Sequence, residues 1–480
     1  MKKQALLIST GLICAFSSIA QNDIDAMRYS QITFGGTARF AAMGGSMGAL
    51  GGDVSTLAFN PAGIAVFRKN EFTFSPSIFS QSTNSTFNGT ESGDRKLNFN
   101  FGNLGLVTAW DKKGKDNGWQ SFNFGLAYNR TNNFHNRTYV EGTNATSSLL
   151  DTYVANANGH DHTNFDQFST GLAWNTWLVN PDTNAGAYMY NHVIPSYGQL
   201  QRKSVETRGS MGETAISFGG NFMDKLLVGA TLGIVNARYV EESVYEEIDQ
   251  ADSIPNFESF TFTQDLTARG TGANFKLGLI YKAFDWMRVG ASVHTPTSIS
   301  FTDEYSSTMR SDLESISYDT ISPKGAFDYR VTTPFRAMGS IGFIVSKYAL
   351  FNVDYEYVDY TYAQLNSRPN VFANVNRSIR TKYTSTANIR AGAEFRLDPF
   401  AIRLGYALYG SPYASGENVN AARTSYTFGF GLREKEYFLD FAYVFTNFTE
   451  YNYLYDPTLV SSTKNEYKNS SFMVTMGVKF

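Results

Sequence analysis

Gly44-Gly45-Ser46-Met47-Gly48 has the Gly-x-Ser-x-Gly spacing of a nucleophile elbow. That chemistry needs a strand before the serine, a helix after it, and a His base held by an acid. The flanking run ARFAAMGGSMGALGGD supplies none of these, so the motif reads as a glycine-rich turn and no catalysed reaction is expected. Four of the five histidines, His135, His160, His162 and His192, fall in one long polar stretch. There His160-Asp161-His162 with Asp166 offers imidazole and carboxylate groups that could ligate a metal or a haem iron. The same stretch is rich in Asn, Thr and Asp, as a solvated loop is. His160 and His162 are therefore weak metal candidates only, and no cofactor is expected. No Walker sequence or dinucleotide fingerprint occurs in the chain.

The elements that must carry these residues are announced at the two ends. From Phe472 to the terminal Phe480, apolar Phe472, Val474, Met476, Val478 and Phe480 alternate with Met473, Thr475, Gly477 and Lys479. A membrane-spanning strand needs about 9–11 residues and turns alternate side chains to lipid and lumen. At the other end, Lys2 and Lys3 precede an apolar run from Ala5 to Phe16, and Ser18-Ile19-Ala20 offers a small-residue cleavage site before Gln21, so residues 1–20 read as an export signal. Cys14 leaves with it, because Ile13 stands where a lipoprotein signal needs a small residue, and the mature chain then has no thiol for a disulfide or a metal. Losing the two lysines takes the formal charge from −3 to −5, which does not invite nucleic acid. Aromatic residues make up 15% of the chain and charged ones 17%, and no later segment is apolar enough for a helical span. An exported chain of this kind is expected to be a barrel of the outer membrane, meeting the barrel assembly machinery through its last strand and outer-membrane lipids along its wall.

Period-2 segments between turn signals predict strands near 71–80, 96–110, 119–130, 211–222, 225–240, 258–283 and 286–301. Seven more follow near 326–345, 348–362, 383–396, 400–410, 423–433, 436–447 and 469–480. Fourteen is an even number, as a bacterial single-chain barrel requires. Short turns such as Met223-Asp224 and Glu434-Lys435 alternate with long polar connections, the longest over about 131–210, which is expected to be extracellular. Charges pass a parity test: Asp354 and Glu356 oppose Phe351, Val353, Tyr355 and Tyr357, and Arg390, Glu394 and Arg396 oppose Ile389, Ala391, Ala393 and Phe395. On this reading Arg288, Arg330, Arg336, Arg390, Arg396, Arg403 and Arg433 all face the lumen. There they can pair with Asp328, Asp354, Glu356, Glu394 and Asp440, and Arg336, Arg390 and Arg403 are candidates for binding a ligand carboxylate. Trp110, Tyr281, Trp286, Tyr348 and Tyr437 suit an interfacial girdle.

Residues 21–70 break the strand pattern, with too many glycines for one long helix and too many apolar side chains for a solvated tail. Such a segment, ahead of a barrel over 71–480, is expected to fold as short helices inside the lumen. Here the chain resembles the FadL-type long-chain fatty acid and TodX-type aromatic hydrocarbon transporters. The resemblance rests on Arg39-Phe40-Ala41-Ala42-Met43-Gly44-Gly45, on Gly51-Gly52-Asp53-Val54-Ser55-Thr56, and above all on Asn60-Pro61-Ala62-Gly63. It implies an all-β membrane protein, a 14-stranded antiparallel transmembrane β-barrel with a small N-terminal helical hatch. It further implies passive, hatch-gated passage of hydrophobic compounds through the lumen or sideways into the membrane. The apolar hatch residues Phe34, Phe40, Met43 and Phe59 are candidates for a ligand pocket. One departure is that the longest connection follows the third strand, earlier than the family's usual ligand-collecting loops. The kink that the family uses for lateral exit would fall near Gly118 to Gly125, where the residues show none. The alternative is a barrel that binds haemin or another surface partner through its long loop.

Overall fold

The computed structural model describes residues 22–111, 118–416, 418 and 421–480; the export signal expected over 1–20 lies outside them. Fourteen antiparallel strands close into one barrel. In chain order they are β1 (Glu71–Phe87), β2 (Thr90–Asp111), β3 (Trp119–Asn133), β4 (Leu200–Phe222), β5 (Leu226–Ile248), β6 (Ser259–Phe284) and β7 (Met287–His294). There follow β8 (Arg336–Val345), β9 (Ala349–Asp359), β10 (Ser385–Leu397), β11 (Phe400–Tyr409), β12 (Arg423–Arg433), β13 (Tyr437–Asn452) and β14 (Thr463–Lys479). Closure pairs β1 with β14 from Glu71↔Lys479 to Thr86↔Lys464. Asn70 and Phe480 exchange both backbone hydrogen bonds at 3.1 Å, so the last residue is part of the seal.

The alternation works as the spacing predicts. Phe351, Val353, Tyr355 and Tyr357 are exposed on the outer face of β9 while Asp354 and Glu356 are buried inside. Trp110, Tyr281, Trp286, Tyr348 and Tyr437 are all exposed at the end with the short turns. Among the described residues no helix is long and apolar enough to cross a membrane; the strands do it, because a closed ladder pairs the backbone groups that lipid cannot satisfy.

Two expectations change. The wall strand β3 continues after a break at 134–135 as Asn136–Thr143, still paired with β4, so the long connection covers 144–199 rather than about 131–210. It is a folded cap rather than a solvated loop: Leu149, Leu150, Phe165, Leu172, Leu178 and Ile194 pack with Phe260 and Met309 from the wall and Phe257 from the connection before β6. The second change concerns facing. β7 is extended by Ser298–Leu313 beyond Thr295-Pro296-Thr297, and β8 is preceded by Gly325–Thr332 before Thr333-Pro334-Phe335. Each three-residue interruption shifts the alternation by one, and a one-residue shift exchanges the two faces. Arg330 and Asp328 are therefore exposed on the outside of the barrel and do not face the lumen.

Residues 22–67 fill the lumen with α1 (Asp23–Ser30), α2 (Ala38–Ala42) and two short 3-10 turns, Val54–Ala58 and Pro61–Val66. Polar caps punctuate this glycine-rich run. Thr37 accepts from Phe40 N, Asp53 from Ser55 N, and Asn60 from Ala62 N.

Candidate functional site

The Asn60-Pro61-Ala62-Gly63 turn is seated against bare backbone. Asn60 Oδ1 accepts from Ala62 N at 3.1 Å, while its Nδ2 donates to Gly48 O at 2.7 Å and to Leu279 O on β6 at 3.3 Å. Gly229 and Gly278 face each other across β5 and β6 directly beneath it. A Cβ on Gly278 would lie 2.0 Å from Asn60 Oδ1, and one on Gly229 2.3 Å from Pro61 O, so only glycine admits the turn.

Charge fixes the next part of the hatch. Arg39 Nε donates to Glu394 Oε2 at 2.8 Å and its Nη1 to Gly52 O at 2.9 Å. The same Glu394 oxygen takes Arg403 Nε at 2.7 Å, and Arg403 Nη1 reaches Asp440 Oδ1 at 2.7 Å. Arg336 pairs with Glu356 and donates to Ser30 O of the hatch, and Arg390 Nη1 lies 3.2 Å from Glu356. The structure thus places Arg336, Arg390 and Arg403 in the lumen, each against a protein carboxylate. The Gly-Ser-Met-Gly turn has an anion of its own: Met47 N and Gly48 N both donate to Asp354 at 3.1 Å, and Ser46 Oγ donates to Asn352 O at 3.1 Å. Consecutive backbone N–H groups gather around a wall carboxylate there, and the Ser46 hydroxyl also accepts from Asn352 Nδ2 at 2.8 Å.

Phe40, Met43 and Phe59 pack with Met47 and Leu50, and with Met338 and Leu350 from the wall, in one buried cluster, Phe40 and Phe59 with ring centres 5.0 Å apart. Phe34 does something different. It stands over a cavity of about 150 Å³ whose apolar lining comes from Phe34, Phe79, Tyr409, Val444, Phe448 and Met473. Engineered apolar cavities of about that size take up a benzene-sized guest.

One edge of the cavity is a break in the wall. β2 and β3 are paired only from Asn103↔Asn129 to Asp111↔Ser121. Above Asn103, β2 pairs with β1 alone, and β3 and its continuation pair with β4 alone. Bulges mark the parting: the β1–β2 register shifts at Ser75/Pro76 and the β3–β4 register at Arg130/Asn132. Side chains bridge the split higher up, with Ser92 Oγ donating to Tyr139 O at 2.8 Å and Lys96 Nζ 2.6 Å from Glu206. Between those levels, Asn100 and Gly102 face Arg130 and Asn132 across the cavity mouth. The hatch segment Gln31–Gly35 runs through this window, where Thr33 N donates to Thr131 O at 2.9 Å and Phe34 N to Tyr409 Oη at 3.1 Å. Outside it, Leu97, Phe99 and Phe101 are lipid-exposed.

Two arginines line the cavity. Arg423 is neutralised by Glu450 at 3.0 Å and lies over the Phe448 ring at 4.4 Å. Arg130 donates weakly to Asn133 at 3.4 Å, has no ion pair among the described residues, and keeps a buried Nε without a hydrogen-bond partner. The sequence reading missed it because its position belongs by parity to the outer face. The signal was there in Asn129-Arg130-Thr131-Asn132-Asn133, where polar residues occupy both parities and alternation fails.

The histidines are dispersed. His160 and His162 are exposed on the cap, His162 stacked on Trp174 with ring centres 5.0 Å apart. His192 Nε2 lies 2.9 Å from Asp151, which also accepts from Tyr197 Oη at 2.7 Å. Burial opposes ionisation of Asp151, but hydrogen bonds from His192, Ser148 N–H and Tyr197 outweigh it and hold the carboxyl below its usual range. Among the described residues no three His, Cys, Asp or Glu side chains come together as a metal cluster.

No protein-family model and no curated protein matches the chain. Solved structures do match it in three dimensions. A Pseudomonas aeruginosa FadL homologue aligns with 94% of this chain and 100% of its own at TM-score 0.58 and 13% identity. The P. putida toluene transporter TodX aligns with 93% of this chain and 99% of its own at TM-score 0.55 and 14% identity. For the Ralstonia pickettii toluene transporter TbuX the figures are 94%, 100%, 0.51 and 16%. Over nearly its whole length, then, this chain has the fold of FadL-type barrels, and it is a β-barrel of the outer membrane.

Proposed function

We propose that the protein is a passive outer membrane channel for hydrophobic compounds such as long-chain fatty acids or aromatic hydrocarbons, with residues 21–70 as its hatch. The observation that carries this reading is the apolar cavity beside an unpaired strand seam, with Gln31–Gly35 lying across the opening. Concave apolar sites with a few polar groups are where small hydrophobic ligands bind. A solute entering from the end that carries the cap would meet Phe34, rest in the cavity, and leave between β2 and β3 into the lipid beside Phe99 and Phe101. Displacing Gln31–Gly35 is the gating step, and no reaction occurs. Arg130 is the group that would receive a carboxylate, since Arg336, Arg390, Arg403 and Arg423 already hold protein acids. Phe40, Met43 and Phe59 serve the hatch core rather than the ligand.

The test is equilibrium binding of a radiolabelled long-chain fatty acid and of labelled toluene to the detergent-solubilised barrel, with Phe34→Ala and Arg130→Gln. Saturable binding weakened by Phe34→Ala supports the reading. Arg130→Gln is expected to weaken the fatty acid about tenfold, as loss of a charge-assisted contact does, and to leave toluene unchanged. A folded wild-type barrel that binds neither compound overturns the proposal and shifts attention to the cap.

A further inference from the structure

On the outer face of the wall the apolar rows end at Leu232 and Ile234 of β5 and at Phe275 and Leu277 of β6, all lipid-exposed. The next outward row toward the cap is polar: Asn236 stands opposite Thr271, Thr271 opposite Ser300, and Ser300 opposite Arg330. One row further, Arg238 and Arg269 face each other directly in the β5–β6 ladder, and both are exposed. Like charges at facing positions destabilise a strand pair. Here the repulsion is poorly relieved from within the protein. Arg269 reaches Glu304 at 3.3 Å, with both side chains about 60% exposed, and a surface pair of that kind contributes little. Arg238 and Arg330 have no ion pair among the described residues. The nearby Asp328 is engaged by Thr302 Oγ1 at 2.6 Å. Glu242 and Asp265, facing each other two rows above the arginines, lie on the side away from the hydrocarbon.

We propose that Arg238, Arg269 and Arg330, with the Thr271 and Ser300 hydroxyls between them, bind the phosphate of a phosphorylated outer-leaflet glycolipid. The patch sits just beyond the last apolar lipid-facing residues, where head groups begin. Guanidinium groups match phosphate oxygens in bidentate geometry, and basic clusters at that depth recognise anionic lipid heads. An anion between Arg238 and Arg269 turns a repelling pair into a clamp. It ties a lipid to the β5–β8 wall, away from the β2–β3 seam, and it is independent of what the cavity carries.

The full-length barrel, wild type and Arg238→Ala/Arg269→Ala, is titrated in zwitterionic detergent with bis-phosphorylated lipid A or with its dephosphorylated form, and bound lipid is counted by native mass spectrometry. The wild type is expected to bind the phosphorylated lipid about tenfold more tightly than either the dephosphorylated lipid or the double variant does. Arg330→Gln, which leaves the facing pair intact, is expected to give a smaller loss in the same direction and serves if the double variant fails the unboiled-gel test of barrel folding. Equal binding of both lipids by the wild type, or equal binding of phosphorylated lipid by wild type and variants, overturns the proposal.

Discussion

Two parts of the hatch are held in different ways. Residues 36–65 are buried almost throughout, tied by charge from Arg39 to Glu394 and from the Met47 and Gly48 N–H groups to Asp354, and by close packing of the Asn60 turn on the Gly229–Gly278 pair. Gln31–Gly35 are only half-buried, and their ties to the wall are a few neutral hydrogen bonds with Thr131, Asn132 and Tyr409. Charge-assisted bonds in a dry lumen are roughly twice as strong as neutral ones. On the proposed function, the contrast implies that the plug need not leave the barrel to open it. The strongly held part is the fixture, and the short segment beside the seam is the part that can yield cheaply.

The hardest way to break that contrast is to attack the fixture. Glu394→Gln leaves Arg39 and Arg403 sharing a neutral amide, and stripping one partner from a buried ion pair costs about 3–5 kcal/mol. Chemical unfolding in detergent should show that loss, together with rapid proteolysis of the hatch. Gly278→Val pushes a side chain into Asn60 and is expected to destabilise by about 1–3 kcal/mol, the usual overpacking range. Its signature is a cross-link between hatch and wall that no longer forms. Thr33→Val keeps the shape of the side chain and removes its hydroxyl bond to Thr131 O, at a cost of about 1 kcal/mol or less. Solute uptake should rise with barrel stability nearly unchanged, and equal or lower uptake would break the comparison. The smallest effect belongs to the cap. Because the folded Asp151 carboxyl lies below its ordinary value, its stabilising contribution is complete above the unfolded value and fades as pH falls through the folded one. Hydrogen exchange of the α3 (Leu149–Ala157) amides should therefore quicken only in strong acid, and Asp151→Asn should remove that dependence.

The barrel was legible in the residues because its rule is local: period-2 alternation exposes the apolar half to lipid, and each strand states its own facing. Strands such as β9, β10 and β14 obey it residue by residue. The rule failed where one residue shifted the count. Thr333-Pro334-Phe335 put Arg330 outside, and the bulge at Arg130/Asn132 brought an outward-parity arginine to the cavity edge. The cap was also misread, since Leu149, Leu150 and Tyr153 among polar neighbours look solvated until the wall supplies Phe260 and Met309 to cover them.

The sequence by itself determined a chain that must close as an antiparallel barrel with an Ala-, Gly- and Met-rich segment inside it. Lipid penalises unpaired backbone and hides apolar side chains, and so constrains each strand separately. Only the tertiary structure decided where that closure is interrupted, which arginine at the cavity is left without an acid, and which part of the hatch is weakly held. Those facts depend on register between strands far apart in the chain, and a register is a relation that no single segment contains.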